Sequence, residues 1–323
     1  MYSADPRHNS SNPGITKQAF ARKEVIISGG TFNSPQLLLL SGIGPKADLH
    51  NLSIPVIVNL PGVGANLQDN TEMGVGAAAN QVFSSIGPVC TYGAPGDPCL
   101  ADWRVGKGPY AQGPLGALMY KTAYAALNER DFFMFPLAGS IFRGYWPGTT
   151  VNVVPSDPLT AFDFSMVKMH TQSRLGTVKL ASNNPRDTPS INFRFFEGPG
   201  ADADLDAFVD AVHFGRKIFA SLENSNLGPF TELSPCKGST TCDVKQYVKT
   251  QAWSHHATSS CSIGNSSNPM AVLDSSFRVR GTRGLRVVDA SAFPRTPGAF
   301  PVLPTFMLGM KGSEVVLKDA NSW

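Results

Sequence analysis

The sequence predicts an α/β core joined to a second, largely antiparallel α+β module. Three observations carry this. Lys23–Gly30 (KEVIISGG) is a short, continuously apolar run ending in glycines, and Gly284–Ser291 (GLRVVDAS) repeats the style near the other end of the chain. Such runs are typical of strands buried on both faces of a parallel sheet. Between them, from about Val75 to Gln251, Gly/Pro-rich loops separate strand-like runs and helices are scarce.

Residues 1–22 are polar and lack periodicity. After the first strand comes TFNSPQLLLLSGIGP, in which Ser34 suits an N-cap and Pro35 the first helical position. Gln36–Leu40 then form a short helix, stopped by Gly42, Gly44 and Pro45. In the middle stretch the loops Gly93–Pro98, Gly106–Gly116 and Tyr145–Thr150 flank strands such as Phe162–His170 and Gly176–Ser182. Its clearest helix is Asp204–Leu222, where Leu205, Phe208, Val209, Val212, Phe219 and Leu222 recur with a period of roughly 3.6. A Pro/Gly loop (FPRTPGAFPVLP) follows the last strand and leads into a final helix, Thr305–Asp319. The expected organisation is residues 1–74 and 252–323 in the core, with 75–251 as the second module. No internal repeat or low-complexity tract interrupts it.

Of the 323 residues, 42% are hydrophobic and 16% charged, enough apolar material for a real core. The net charge is +3 and the basic residues are scattered singly, which argues against nucleic acid or an anionic membrane surface as main partner. No apolar run approaches the roughly 18 residues that span a bilayer; Leu37–Leu40 is broken at once by Ser41 and Gly42. Met1–Ser11 is polar, so no signal peptide is read there. That reading has weight only if the chain begins where its ancestor began. Cys90 and Cys99 bracket one Gly/Pro-rich loop, and Cys236 and Cys242 a short polar one. Two disulfides in an oxidising compartment, with Cys261 left over, are preferred to five free thiols. Sequons at Asn9, Asn51 and Asn265 point the same way, towards the secretory route rather than the cytoplasm.

Three motifs, in order, carry chemistry. Gly30–Gly44 (GTFNSPQLLLLSGIG) resembles the second signature of glucose–methanol–choline (GMC) oxidoreductases at every defined position. His255–Gly264 (HHATSSCSIG) is similar to the histidine-bearing active-site segment of that family. Gly284–Ser291, followed by Phe293-Pro294, looks like its last flavin-contacting strand and turn. The resemblance covers essentially the whole chain. It implies FAD as cofactor, a partial Rossmann-like FAD-binding domain, a substrate-binding domain, and a small-molecule alcohol as substrate. In the family a hydride passes from carbon to flavin N5 while a histidine accepts the hydroxyl proton. Counting back from Cys261 places that role on His256, and a side chain titrating near neutrality suits it. In an extended segment His255 and His256 point to opposite faces, so one alone meets the flavin. The resemblance places Gly29, Gly30, Asp289, Ala290, Ser291, Phe300, Pro301 and Val302 against the cofactor. Close backbone approach at the glycines and N–H groups at the turn and helix start supply the physical sense. Asp289 also suits a turn or cap. No residue is assigned to a metal.

Two departures bear on function. The family's G-x-G-x-x-G fingerprint is missing; the nearest string, Gly62–Leu67, lacks the third glycine. The strands KEVIISGG and GLRVVDAS would then lose neighbours, and the chain reads as a truncated form. Second, the family's other histidine or asparagine, about eleven residues after the aspartate of the last strand, is replaced by Phe300 with Pro301 beside it. Neither donates a hydrogen bond. The Pro-rich loop resembles fungal secondary-metabolism relatives that act on polyketide-like aromatics. The leading reading is an FAD-dependent alcohol oxidase or dehydrogenase. The alternatives are a non-redox cyclase or dehydratase on the same scaffold, and an inactive fragment.

Overall fold

The computed structural model describes residues 18–82, 90–91, 94–111, 116–126, 128–144, 157–238 and 242–320. Asn9, the loop Tyr145–Thr150, and parts of the first polar stretch and of the loops Gly93–Pro98 and Gly106–Gly116 lie outside them. In chain order the elements are β1 (Val25–Ile27), α1 (Gly30–Leu40), β2 (Ile43–Gly44), α2 (Lys46–Asn51), β3 (Val58–Asn59), β4 (Glu72–Ala78) and α3 (Pro98–Trp103). Then follow β5 (Leu118–Tyr120), β6 (Phe132–Ala138), β7 (Ala161–Lys168), β8 (Thr177–Lys179), β9 (Ser190–Asn192), α4 (Ala201–Ser221) and β10 (Thr231–Ser234). The last are α5 (Val244–Gln251), β11 (Leu285–Val287) and α6 (Val302–Ala320).

The two apolar runs do pair in parallel, with Val25 opposite Leu285 and Ile27 opposite Val287. They are not buried on both faces, since Val25 remains 51% exposed. Among the described residues this sheet has only these two strands. Arg286, fully buried in β11, binds the carboxylates of Glu24 and Asp319 and so ties the end of α6 to the pair. On α6 itself Val302, Leu303, Phe306, Met307 and Met310 are exposed. No helix is long and apolar enough to cross a membrane among the described residues.

Helix α1 begins at Gly30, six residues before Gln36, and Ser34 is not its cap. The Ser34 hydroxyl donates to Asp289 and accepts from the Gly29 N–H. Asp289 also accepts the Gly30 N–H at 3.0 Å, so a carboxylate distant in sequence occupies the positive end of the helix. Pro35 therefore sits inside α1. It has no N–H to offer the Thr31 carbonyl one turn back, and the Ser260 hydroxyl bonds that carbonyl instead.

The middle of the chain forms a five-stranded antiparallel sheet in the order β10-β4-β7-β6-β5. Helix α4 packs on one face, burying Leu205, Phe208, Val212 and Phe219 against Met73, Val75, Phe132 and Met166. The approach is close: a Cβ on Gly215 would lie 2.3 Å from Val75 Cγ1. Period-2 alternation sends Glu72, Gly74 and Gly76 of β4, Asp163 and Ser165 of β7, and Phe133 and Phe135 of β6 to the opposite face. Both expected disulfides, Cys90–Cys99 and Cys236–Cys242, are present, and Cys261 is buried and free.

Candidate active site

The segment Trp253–Thr258 crosses the start of β4 and positions both histidines. Glu72 and Trp253 exchange backbone hydrogen bonds of 2.7 and 3.0 Å, and Gln68 and Thr258 exchange a second pair. Between these two bridges the ladder is interrupted, because the His256 N–H donates to Asp69 Oδ1 at 2.7 Å. The expected alternation of His255 and His256 is lost with it. Their rings lie side by side, with centroids 3.8 Å apart, and both meet Glu72. The alternation rule needs a continuous strand, and a buried carboxylate has broken this one.

Glu72 is 0% exposed and His256 9%. Oε1 of Glu72 lies 3.1 Å from Nδ1 of His256 and 3.4 Å from Nδ1 of His255. Neither carboxylate oxygen nor the His256 Nδ1 has an aligned hydrogen bond among the described residues. Burial holds the His256 imidazole down at about 4. His255 is likewise lowered to about 4, by burial and then by His256. Both rings are thus neutral at ordinary pH. Burial pushes Glu72 up to about 8 and Asp69 to about 7, because a carboxylate ionises reluctantly away from water.

Phe300 stands beside His256, edge to face at 5.0 Å, and against Phe133 at 5.2 Å and Phe135 at 6.2 Å. It is 40% exposed, so it forms part of an apolar wall open on one side. Trp253 stacks on His255 at 5.3 Å and carries Phe142 on its edge. The Asn70 side chain holds the loop bearing Phe300 by donating to Gly298 O at 2.7 Å.

Gly29, Gly30 and Asp289–Ser291 gather at the β1–β11 ends, while Pro301 and Val302 lead from Phe300 into α6. Asp289 accepts from Gly30 N, Ser34 Oγ and Ser291 N, so its carboxylate is used within the chain. The Gly29 N–H is bound to Ser34. What these residues can offer a ligand is therefore close approach and shape. Gly30 has φ +81° and nothing within 4 Å of where a Cβ would stand. Pro301 O receives the Thr305 N–H and hydroxyl at the start of α6, where Val302 is exposed. The string Gly62–Leu67 forms a turn, with Gly64 packed against Val178 O. A cavity of about 390 Å³ between α1, α2 and β8 contains none of the predicted site residues.

Sequence reasoning missed Glu72, Asp69, Trp253 and the two β6 phenylalanines. The available signal was an acidic residue opening an apolar, glycine-rich strand (EMGVGAAA), where nothing local pays for burying a charge.

Comparison with known proteins gives a consistent result. Two family models described as GMC oxidoreductase match, one over residues 7–72 and one over residues 171–309. Mitochondrial choline dehydrogenase of Mus musculus is 33% identical over 326 residues, covering 95% of this chain and 50% of that protein. An oxygen-dependent choline dehydrogenase of Pseudomonas aeruginosa (strain LESB58) is 36% identical over 297 residues, covering 88% and 48%. The chain spans about half the length of the curated relatives it matches. Among solved structures, a formate oxidase of Aspergillus oryzae aligns with a TM-score of 0.79 at 23% identity, covering 94% of this chain and 55% of that one. A fungal aryl-alcohol oxidase aligns with a TM-score of 0.65 at 23% identity, covering 92% and 55%. These structural likenesses concern the fold.

Proposed function

The chain belongs to the GMC oxidoreductase family, and from that premise we propose that it is the substrate-facing, proton-accepting part of an FAD-dependent oxidoreductase acting on CH–OH groups. The observation that carries the reading is His256: a buried, neutral imidazole beside Glu72, next to a half-open apolar wall. Residues 75–251 are the substrate-binding unit in this reading, and 1–74 with 252–323 belong to the FAD-binding unit.

The residues present fit FAD. The backbone at Gly30 is open to close approach, and apolar side chains are exposed on β1 and at the start of α6. Gly29, Gly30, the Asp289–Ser291 turn and Phe300–Val302 would hold the cofactor, which when bound supplies the hydride acceptor. The chain's own part is the proton. His256 accepts it from the substrate hydroxyl as the carbinol becomes a carbonyl, a contribution of about 10²–10⁴ in rate. Once Glu72 is ionised, its charge beside Nδ1 favours the proton there, and Nε2 is the nitrogen left to receive the one from substrate. Phe133, Phe135 and Phe300 exclude water from one side and favour an aromatic or apolar alcohol, in keeping with a role in secondary metabolism. Glu72, once ionised above about pH 8, is the group at this site that would attract a cationic alcohol such as choline, named in the relatives. Two disulfides and the exposed sequons at Asn51 and Asn265 support an oxidising compartment.

The test is the visible spectrum of the purified protein, followed by addition of an aryl alcohol or choline. Bound flavin that bleaches on addition supports the proposal, and His256→Ala should abolish bleaching while flavin stays bound. Unchanged bleaching in that variant removes His256 from the role. A second reading draws on Phe300, which supplies no hydrogen bond where the family has a polar residue. There the protein is a cyclase or dehydratase in which His256 moves a proton and FAD is structural, and flavin stays oxidised through turnover.

A further inference from the structure

Glu72, His255 and His256 form a compact donor set that the proton-transfer role does not fully use. One oxygen or nitrogen from each lies within 4.8 Å of the others. In a four-coordinate zinc site with metal–ligand bonds of about 2.0–2.1 Å, neighbouring donor atoms stand about 3.3–3.4 Å apart. Here Glu72 Oε1 lies 3.1 Å from Nδ1 of His256 and 3.4 Å from Nδ1 of His255. Although these distances are within hydrogen-bond range, Glu72 Oε1, Glu72 Oε2 and His256 Nδ1 are all without a hydrogen-bond partner among the described residues. Glu72 and His256 share a space without a hydrogen bond between them.

We propose that Glu72, His255 and His256 bind a divalent transition ion of the zinc type. Two imidazoles and one carboxylate are the ligand types that suit such an ion, and three protein ligands leave a further position for water or a small molecule. A carboxylate with no exposure and no hydrogen-bond partner is costly to bury, and a cation among these atoms relieves that cost. The ligands are also held in place beforehand. Glu72 is fixed by its paired backbone bonds to Trp253, His256 by its N–H bond to Asp69, and His255 by stacking on Trp253. The side chain of His255 is one-third exposed and gives the ion a way in.

Binding has a consequence that rests on the proposed function. An imidazole bound to metal through Nδ1 carries its proton on Nε2 and cannot accept another. The ion would therefore inhibit alcohol oxidation by occupying the proton acceptor.

The binding itself is tested on the purified protein without substrate. Titration calorimetry with ZnCl₂ should show one saturable site that MgCl₂ does not fill, since magnesium prefers oxygen ligands. Zinc should protect His255 from diethyl pyrocarbonate while leaving the exposed His50 and His213 reactive, as read by peptide mass spectrometry. Glu72→Gln and His255→Ala should each weaken zinc binding by at least about tenfold, and His213→Ala should not. Absence of a saturable site, protection spread evenly over the histidines, or unchanged affinity in both variants overturns the proposal. The protection pattern needs no variant, so a substitution that fails to fold does not leave the question open. Zinc that binds here without slowing turnover of the flavin-loaded protein leaves the metal site standing and sinks the proton-acceptor reading. No zinc binding, with turnover abolished in His256→Ala, does the reverse.

Discussion

Glu72 Oε1 and His256 Nδ1 lie 3.1 Å apart in a site almost closed to solvent, at the point where β4 meets the histidine segment. The pair sets which imidazole nitrogen can work as a base. If Glu72 is ionised, its charge favours the tautomer with the proton on Nδ1 and leaves Nε2 bare. If Glu72 is protonated, that charge is gone and its O–H beside Nδ1 favours the proton on Nε2.

The first prediction follows from that choice. His256 is already neutral above about pH 4, so the proton the pair must lose before catalysis is the one on Glu72, held to about 8 by burial. The neighbouring groups are Asp69, at about 7, and His255, at about 4. Turnover should rise with pH and level off above about 8. In Glu72→Gln the amide donates to Nδ1 at every pH, so kcat should drop by about 10²–10⁴ and the rise should vanish. Steady-state rates between pH 6 and 9.5 decide it. A Gln variant that keeps the wild-type profile rules out this role for Glu72.

Much of this site was legible in the sequence. The histidine motif led to the segment that the structure sets beside Glu72, the two apolar runs identified the parallel pair, and the cysteine spacing anticipated both disulfides. What could not be read were relations across the chain. Asp69 removes the His256 N–H from the strand ladder and so defeats the alternation expected of His255 and His256. Asp289 occupies the start of α1 and moves the helix boundary ahead of the local Ser-Pro signal. Neither carboxylate lies near its target in sequence, so no window of residues contains both partners.

Phe300 should tune substrate choice. Its ring meets Phe133, Phe135 and His256 at 5.2, 6.2 and 5.0 Å, and each aromatic contact is worth about 0.5–1.5 kcal/mol. Phe300→Ala should lower kcat/KM for an aryl alcohol by up to about tenfold and change that for a small aliphatic alcohol little. Equal losses for both would show that the ring acts on the fold or on flavin binding instead.

Asp163 should make stability depend on pH. Its carboxyl is buried on β7, receives only the Phe142 N–H among the described residues, and is pushed up by burial from 3.8 to about 8. The native state thus keeps a proton that the unfolded chain releases above about pH 4. Its stabilising contribution is complete below the unfolded value and is lost as pH rises towards 8. Glu72 and Asp69 act in the same direction, whereas His255 and His256 act oppositely between about 4 and 6.5. Between pH 6.5 and 8 the carboxyls therefore dominate, and Tm should fall. Asp163→Asn should make the fall shallower, by at most about 1.4 kcal/mol per pH unit. Parallel Tm curves for the two proteins would rule out a protonated Asp163 in the native state.

Ser260 and Pro35 should be coupled although one lies in the histidine motif and the other in α1. Pro35 leaves the Thr31 carbonyl without its helical donor, and the Ser260 hydroxyl fills the gap. Ser260→Ala then strands a buried acceptor, which costs about 1–3 kcal/mol. Pro35→Ala restores a backbone N–H one turn from Thr31, so the same serine substitution made in that background should cost less than half as much. The difference between the two costs is the coupling that a double-mutant cycle measures by urea unfolding. Additive costs would mean that the Thr31 carbonyl is satisfied in some other way. A clear coupling would show that the histidine segment and the Gly30–Leu40 helix hold each other in place through one hydroxyl. In that case the serine is a structural requirement for keeping the end of the histidine motif against the turn at Ala290–Ala292, because the backbone N–H of Ser259 bonds Ala290 O and that of Cys261 bonds Ser291 O on the same strip of chain.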